Sequence, residues 1–167
     1  MRQGLERLGF EPVPGSRHEY VLRCNSEAGI YVHDGIEGRF GWISINPVIS
    51  VTIESLRQAL VAQDPSWQNS SRVCHAWIYS LGGWTSTDVP ISATDEETKL
   101  MVARCIGVIE ALGIPLMRQY GCLEKAIELF RAWIENPDDV HSALVVVFAE
   151  QKLHAAEEVI RKSNRST

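Results

Sequence analysis

The sequence lacks the long apolar segments and paired cysteines that would place a protein in a membrane or outside the cell. No apolar run approaches the roughly 20 residues needed to cross a bilayer. The first ten residues carry charges and have no apolar signal-peptide core. The four cysteines form no CxxC pair, which disfavours a disulfide framework. We therefore expect a reduced, cytoplasmic protein without a membrane partner.

Positive charge is also scarce. The 167 residues carry a net charge of −5, and no basic stripe of the kind that neutralises phosphates is present. We therefore predict no nucleic-acid partner. The acidic balance is compatible with a basic protein partner, although the sign of the net charge alone decides little.

Recognisable catalytic motifs are missing as well. The glycines at 35, 38 and 41 open no helix and so do not form a phosphate loop. There is no HExxH pair and no GxSxG elbow. We predict no catalytic residue, no metal ligand and no cofactor. An enzyme whose site assembles only in space stays open as an alternative, with Cys122, Cys74 or His75 as its candidates.

What the sequence does contain is strand periodicity, concentrated in its first half. Alternating apolar residues predict strands at 18–24, 30–32 and 39–45, joined by brief turns into an antiparallel meander. Asp34 is expected to cap one of these turns. A further strand at 73–81 is apolar on both faces, which predicts a central position in the sheet.

Helical periodicity dominates the second half. Strands first and helices second indicate an α+β fold, with the N-terminal meander packed against helices and one domain spanning residues 1–167. Thr94 and Glu97 form a predicted capping box. The first predicted helix has Thr52 as its N-cap, and the second runs from the capping box to Gly113, ahead of Pro115. Further helices are predicted at 123–134, 140–148 and 153–160, and a continuous helix over the last two stays open as an alternative.

Five tryptophans are many for this length, and tryptophan is enriched in binding hot spots. Trp42, Trp77 and Trp133 fall in strands or on an apolar helix side and are expected in the core. Trp67 and Trp84 fall in predicted loops among polar residues or glycines. A loop tryptophan can fold back over the core, but these two are the best candidates for partner-binding residues.

The order of several short segments is also informative. These are LGF at 8–10, WISINP at 42–47, GIP at 113–115 and LE at 123–124. Together they resemble a bacterial family of small α+β proteins known only as a domain of unknown function, whose members look like immunity or accessory proteins of toxin systems. The resemblance implies this fold and a toxin or effector as protein partner. It assigns a role to no residue.

Three functional hypotheses follow. The first is a cytoplasmic protein-binding module, possibly an immunity protein that neutralises a toxin by covering its active site. The second is the enzyme with a spatially assembled Cys/His site. The third is an oligomeric structural protein that uses an apolar helix face.

Overall fold

The computed structural model describes residues 1–39, 42–69, 71–84, 88–90 and 93–165, which contain strands followed by helices. This arrangement confirms the predicted α+β class. The strands are β1 Glu11–Pro12, β2 Glu19–Arg23, β3 Ala28–His33, β4 Ile36–Arg39, β5 Trp42–Ile45, β6 Val48–Ile53, β7 Cys74–Trp77, β8 Asp88–Pro90 and β9 Leu144–Val145. The α-helices are α1 Arg2–Arg7, α2 Glu54–Gln63, α3 Ile78–Leu81, α4 Asp95–Val108, α5 Ile114–Gln119, α6 Leu123–Glu135 and α7 Ala149–Arg165.

The larger sheet is antiparallel, with strand order β1-β2-β3-β6-β7-β9. Its first strands confirm the predicted strands at 18–24 and 30–32 as β2 and β3. The sequence analysis missed β6, which lies between β3 and β7 and pairs Val51 with Ile30 on one side and Cys74 on the other. Residues 49–53 of β6 are all buried. A strand buried on both faces shows no clear alternation between apolar and polar residues.

A smaller antiparallel sheet has the order β4-β5-β8. The predicted strand at 39–45 is present only from Trp42, as β5, and it belongs to this second sheet instead of continuing the meander. Phe40 and Gly41 lie outside the described residues. Trp42, expected in the core, is half exposed at 50%, so its predicted core position is wrong.

The two faces of the larger sheet differ in chemistry. One face is apolar and packs against helices. There Ile49 of β6 approaches Gly113, and Sγ of Cys74 lies 4.0 Å from Sδ of Met117. The opposite face carries Tyr31 and His33 of β3, with polar side chains from neighbouring strands. An antiparallel sheet commonly buries one face and leaves the other accessible.

Two predicted boundaries are wrong next to β6. Thr52 is not the N-cap of α2, because it pairs with Gly29 inside the sheet and Ile53 precedes the helix instead. The predicted strand at 73–81 ends at Trp77. The next four residues form α3, whose first amide, that of Ile78, donates to the carbonyl oxygen of Pro47.

The capping box at Thr94 and Glu97 is confirmed at the start of α4. The predicted stop at Gly113 is wrong, because a π-helical segment, Ile109–Gly113, carries the helix into α5. A wide π turn accommodates the missing N–H of Pro115. Gly113 serves close packing instead, since a Cβ there would lie 2.9 Å from Cδ1 of Ile49.

The continuous helix Asp95–Gln119 has 25 residues and contains a window with a mean hydropathy of 1.8. By length and composition it could cross a membrane, so the expectation that no apolar stretch reaches this length is wrong. One third of the window is buried in the fold. Core helices of soluble proteins pass the same test, and the absence of a membrane partner stays a prediction.

The C-terminal region confirms helix α6 but not the predicted helix at 140–148. That segment contains β9 instead, which pairs Leu144 with Ala76 and Val145 with His75 at the edge of the larger sheet. The last predicted helix is longer than expected and begins at Ala149 as α7, which contacts both α2 and α6. The buried apolar residues of sheet and helices form a contiguous core.

The turn at Gly35 gives a test of this fold. Its φ is +55°, and an added Cβ would collide with the carbonyl oxygen of Asn46. We expect Gly35→Ala to lower the free energy of unfolding by about 3 kcal/mol or more. Gly15→Ala is the matched control: its φ is +81° but the space around it is open, so about 1 kcal/mol is expected. Equal losses in urea unfolding would contradict the close packing of this turn.

Candidate functional site

A polar cleft of about 740 Å³ opens on the accessible face of the larger sheet. Its size falls within the range of small-molecule sites. Strand β3 contributes Tyr31 and His33, and the N-terminal turn of α2 forms one side. The rest of the lining comes from the start of β2 and the segment before it, from β6, from α2 and from the segment before β7. These residues are Ser16, His18, Glu19, Thr52, Glu54, Arg57, Gln68, Ser71 and Arg72.

Two ion pairs hold the walls of this cleft. Arg57 donates to Glu54 through Nε at 2.8 Å and through Nη2 at 2.6 Å. Hydrogen bonds from Arg57 lower the pKa of the Glu54 carboxyl. Arg72 donates through Nη2 to Oε1 of Glu19 at 2.6 Å, which ties the segment before β7 to the start of β2. Each carboxylate is thus matched by one guanidinium, and these two pairs contribute no net charge.

Two histidines lie at the rim of the cleft beside a buried carboxylate. Nδ1 of His18 lies 3.0 Å from Oδ1 of Asp34, which is only 7% exposed. Among the described residues, no backbone amide of the turn donates to Asp34, so the capping role expected of it is not seen there. His33 takes that role, since its Nδ1 accepts from the backbone N–H of Gly35 at 3.2 Å. The two imidazole centroids are 6.1 Å apart.

Trp67, one of the two predicted partner-binding residues, lies on a 3₁₀ helix, Pro65–Asn69, and is half-buried. Its ring meets that of Phe148 edge to face, with centroids 5.2 Å apart. Phe148 is 53% exposed, and its neighbour Val147 is 42% exposed. We call Trp67, Val147 and Phe148 the aromatic patch. The sequence analysis missed Phe148, because it assigned that residue to the apolar face of a helix that does not form.

The backbone at Phe148 is unusual. Its φ is +57°, and among the described residues it is the one non-glycine with a positive value. For a bulky side chain this conformation costs on the order of 1–2 kcal/mol. Such strain persists where the surrounding structure holds it, and it is found disproportionately at functional sites.

Trp84, the second predicted partner-binding residue, lies elsewhere. It is half-buried beneath the guanidinium of Arg104, whose Cζ is 4.0 Å from the ring centroid. It also packs closely on Gly82. Among the described residues, no ring contact joins Trp84 to Trp67, which meets Phe148 instead. The stacked cation covers one face of the indole.

The cysteines divide into two classes. Cys74 and Cys105 are buried, and burial raises the pKa of their thiols to about 12 and about 11. Such thiols remain protonated near neutral pH and are poor nucleophiles. Cys24 and Cys122 are exposed. Cys122 precedes α6, as expected, without a side-chain capping bond.

Lys152 of α7 is the most unusual charged residue of the core, at only 2% exposure. Burial lowers the pKa of its amine to about 8, and nearby Cys74 partly offsets this effect. The pKa of His75 is lowered by burial and by the nearby charges of Arg72 and Lys152. Cys74 and His75 point to opposite faces of β7, so this group forms no shared centre. Among the described residues, no three His, Cys, Asp or Glu side chains are grouped to hold a metal ion.

Sequence reasoning missed the cleft because its members are far apart along the chain. Glu19 and Arg72, for example, are 53 positions apart and meet only in the folded sheet. No single spacing marks these residues, since they come from several elements.

The chain was also compared with known proteins. No protein-family model, curated protein or solved structure matches it. The resemblance to a bacterial family of immunity-like proteins therefore stays a prediction. The polar cleft and the aromatic patch are the two candidate functional sites of the chain.

The buried amine gives a prediction for stability. The pKa of Lys152 is about 8 in the folded state, whereas its ordinary value is 10.5. At a pH where the folded amine is charged, its burial therefore lowers the free energy of unfolding. The unfolded chain holds the extra proton between these values, so this penalty fades as pH rises above 8. We expect Lys152→Met to be more stable than the wild type by about 2 to 3 kcal/mol at pH 7.

That advantage should shrink by about 1 kcal/mol between pH 7 and pH 9 in urea unfolding. Comparing the two proteins at each pH cancels the opposite effect of the buried thiols, which favours unfolding above pH 9. Lys125→Met, at an exposed lysine paired with Glu128, is the control and should change stability by less than about 0.5 kcal/mol at either pH. A pH-independent difference would contradict the assignment.

The cysteine classes predict a labelling pattern. With iodoacetamide at pH 8, we expect Cys24 and Cys122 to be alkylated in the folded protein, and Cys74 and Cys105 only after denaturant is added. Peptide mass spectrometry distinguishes the four sites. Rapid alkylation of Cys74 in the native protein would contradict its burial and would favour the alternative of a thiol enzyme.

Proposed function

We propose that this chain is a protein-binding module that engages a protein partner through the aromatic patch of Trp67, Val147 and Phe148. The observation that carries the proposal is Phe148, a bulky residue held at positive φ with half of its side chain exposed. An exposed aromatic ring in a costly backbone conformation contributes little to stability. A partner that buries the Phe148 ring would explain why this side chain lies at the surface.

The patch has the form of a binding anchor. Trp67 is half-buried and supports Phe148 edge-on, so the ring is oriented before any partner arrives. Ordering the anchor in advance reduces the entropy lost on binding. Aromatic residues of this kind dominate the energetics of many interfaces, with surrounding contacts excluding water.

Charge near the patch indicates the kind of partner. Exposed Asp64 precedes Trp67 by three positions and exposed Glu150 follows Phe148 by two. The Asp64 carboxylate accepts from the N–H of Ser66, which lowers its pKa and keeps it ionised. Together with the net charge of −5, this favours a partner with an apolar pocket and a basic rim. A toxin neutralised by direct binding, as the family resemblance suggests, is the partner class we propose.

The experiment starts from the tagged full-length protein purified from its native host. Wild type and Phe148→Asn are compared, because asparagine tolerates positive φ and the change removes the ring without new strain. A partner enriched by the wild type is then expressed alone and titrated against both proteins by calorimetry. We expect a stoichiometric complex that Phe148→Asn weakens at least about 30-fold, as for a hot-spot anchor.

Leu100→Ser is the matched control, since this leucine is 72% exposed on α4 and lies outside the patch. It should leave the affinity unchanged within about twofold. Expression of the partner should also arrest growth, and co-expression of the wild type should restore it. A stoichiometric partner that binds Phe148→Asn as tightly as the wild type would contradict the proposed binding surface. A partner whose expression does not arrest growth would contradict its assignment as a toxin.

A further inference from the structure

The long helix Asp95–Gln119 leaves much of its apolar surface uncovered. Only 33% of its most apolar 18-residue window is buried. Leu100 is 72% exposed, more than any other large hydrophobic side chain in the described part of the chain. The residues that the fold buries lie on one side of this helix and are Cys105, Ile106, Ile109, Gly113, Ile114 and Met117. An exposed apolar face opposite them indicates an interaction surface.

The exposed side is a row with small residues at its centre. We call this row the outer face, and its members, all of them exposed, are Leu100, Ala103, Gly107, Ala111 and Pro115. Gly107 stands inside a helix, where glycine is among the least favourable residues. A Cβ added at Gly107 would meet no packed neighbour within 4 Å, so packing within the chain does not require a glycine there. A second helix laid along the outer face can approach closely at this point.

Charged residues of opposite sign stand at the two ends of the outer face. Glu96 lies eleven positions before Gly107 and Arg118 eleven positions after it, and both are exposed. Spacings of four and seven residues connect Glu96, Leu100, Gly107, Ala111 and Arg118, which keeps them on one side of the helix. An antiparallel copy of the helix, related by a two-fold axis at Gly107, therefore brings Glu96 of one copy to Arg118 of the other. The symmetry makes this pair twice.

Two further charged residues distinguish a protein partner from a membrane. Arg104 and Glu110 lie three positions to either side of Gly107, on opposite edges of the outer face, and both are exposed. A bilayer that covered the outer face would have to take up both charges, which is costly. A protein interface leaves them at its rim, around an apolar centre, as is usual for protein pairs.

We infer that two copies of this chain associate through the outer face, with their Asp95–Gln119 helices antiparallel about a two-fold axis at Gly107. Leu100 of each copy then lies against the small residues of the other, and the charged ends of the two helices pair. Because both copies use the same surface, the assembly stops at a dimer. The outer face shares no residue with the aromatic patch, and the inference does not rest on the proposed function.

Sedimentation equilibrium of the full-length protein measures the assembly, across roughly 1 to 200 μM, a range that brackets a weak interface. We expect an equilibrium between the chain mass of 18.7 kDa and twice that value. The dissociation constant should be on the order of 10 μM for an interface of this small size. A monomer at the highest concentration, or a species larger than the dimer, would overturn the inference.

Gly107→Leu is the decisive variant. The added side chain meets no packed neighbour in its own chain, and leucine favours the helix, so the melting temperature should not fall. Two leucines would collide where the helices approach most closely, so the dimer should weaken at least tenfold. Non-specific association would instead strengthen, because leucine makes the outer face more apolar. Tighter association of this variant, or its flotation with phosphatidylcholine vesicles, would therefore overturn the inference.

Charge reversal tests the antiparallel register. Glu96→Lys and Arg118→Glu should each weaken the dimer at least fivefold, because each creates a like-charge pair at both ends of the interface. The double variant restores opposite charges and should return to within about twofold of the wild type. A double variant that dimerises no better than the single variants would overturn the register.

Two control variants complete the experiment. Glu124→Lys is matched to Glu96→Lys, since Glu124 is also an exposed acid in the first turn of a helix, α6, and it should leave the dimer unchanged. Phe148→Asn should leave the dimer unchanged as well. Loss of the dimer in Phe148→Asn would show that the copies meet through the aromatic patch and would overturn the assignment to the outer face.

Discussion

Strand β6 is the element on which the other parts of the structure depend. It pairs with β3 on one side and β7 on the other, and its residues from Ile49 to Ile53 are buried. Every backbone group of such a strand must find a partner within the protein. One face of β6 receives the long helix at Gly113. The other face carries Ser50, whose buried hydroxyl has no hydrogen-bond partner in the described part of the chain. A displacement of β6 would therefore disturb the core and the polar face together.

The polar face and the aromatic patch are linked through one short segment. The 3₁₀ helix Pro65–Asn69 directs Trp67 toward Phe148, while Gln68 beside it lines the cleft. The ion pair between Arg72 and Glu19 anchors the far end of the same segment. Two surfaces with different chemistry, one apolar and one polar, thus lie on either side of a single turn. The two surfaces are separate because successive side chains of that turn point in different directions.

The charged residues of the half-exposed cleft and the buried lysine of the core differ in their partners. In the cleft, each arginine is matched to a carboxylate at bonding distance, so desolvation is offset by direct hydrogen bonds. Lys152 has no carboxylate partner among the described residues, and burial lowers the pKa of its amine to about 8. Its neighbour Cys74 stays protonated because burial raises the pKa of the thiol to about 12. This buried lysine weakens the fold near neutral pH, whereas the paired arginines maintain the shape of the cleft.

Local sequence patterns predicted the elements that form through interactions within a few residues. The capping box at Thr94, the amphipathic helix α6 and strands β2 and β3 follow from residues a few positions apart, and they form as predicted. Strand β9 and the pairing of Arg72 with Glu19 depend on neighbours that are distant in the chain. Tryptophans at 67 and 84 could be identified as unusual, but only the fold set one beside Phe148 and the other beneath Arg104. The reason is physical: turn chemistry and periodicity act within a few residues, whereas packing and ion pairing act between elements that meet only when the chain folds.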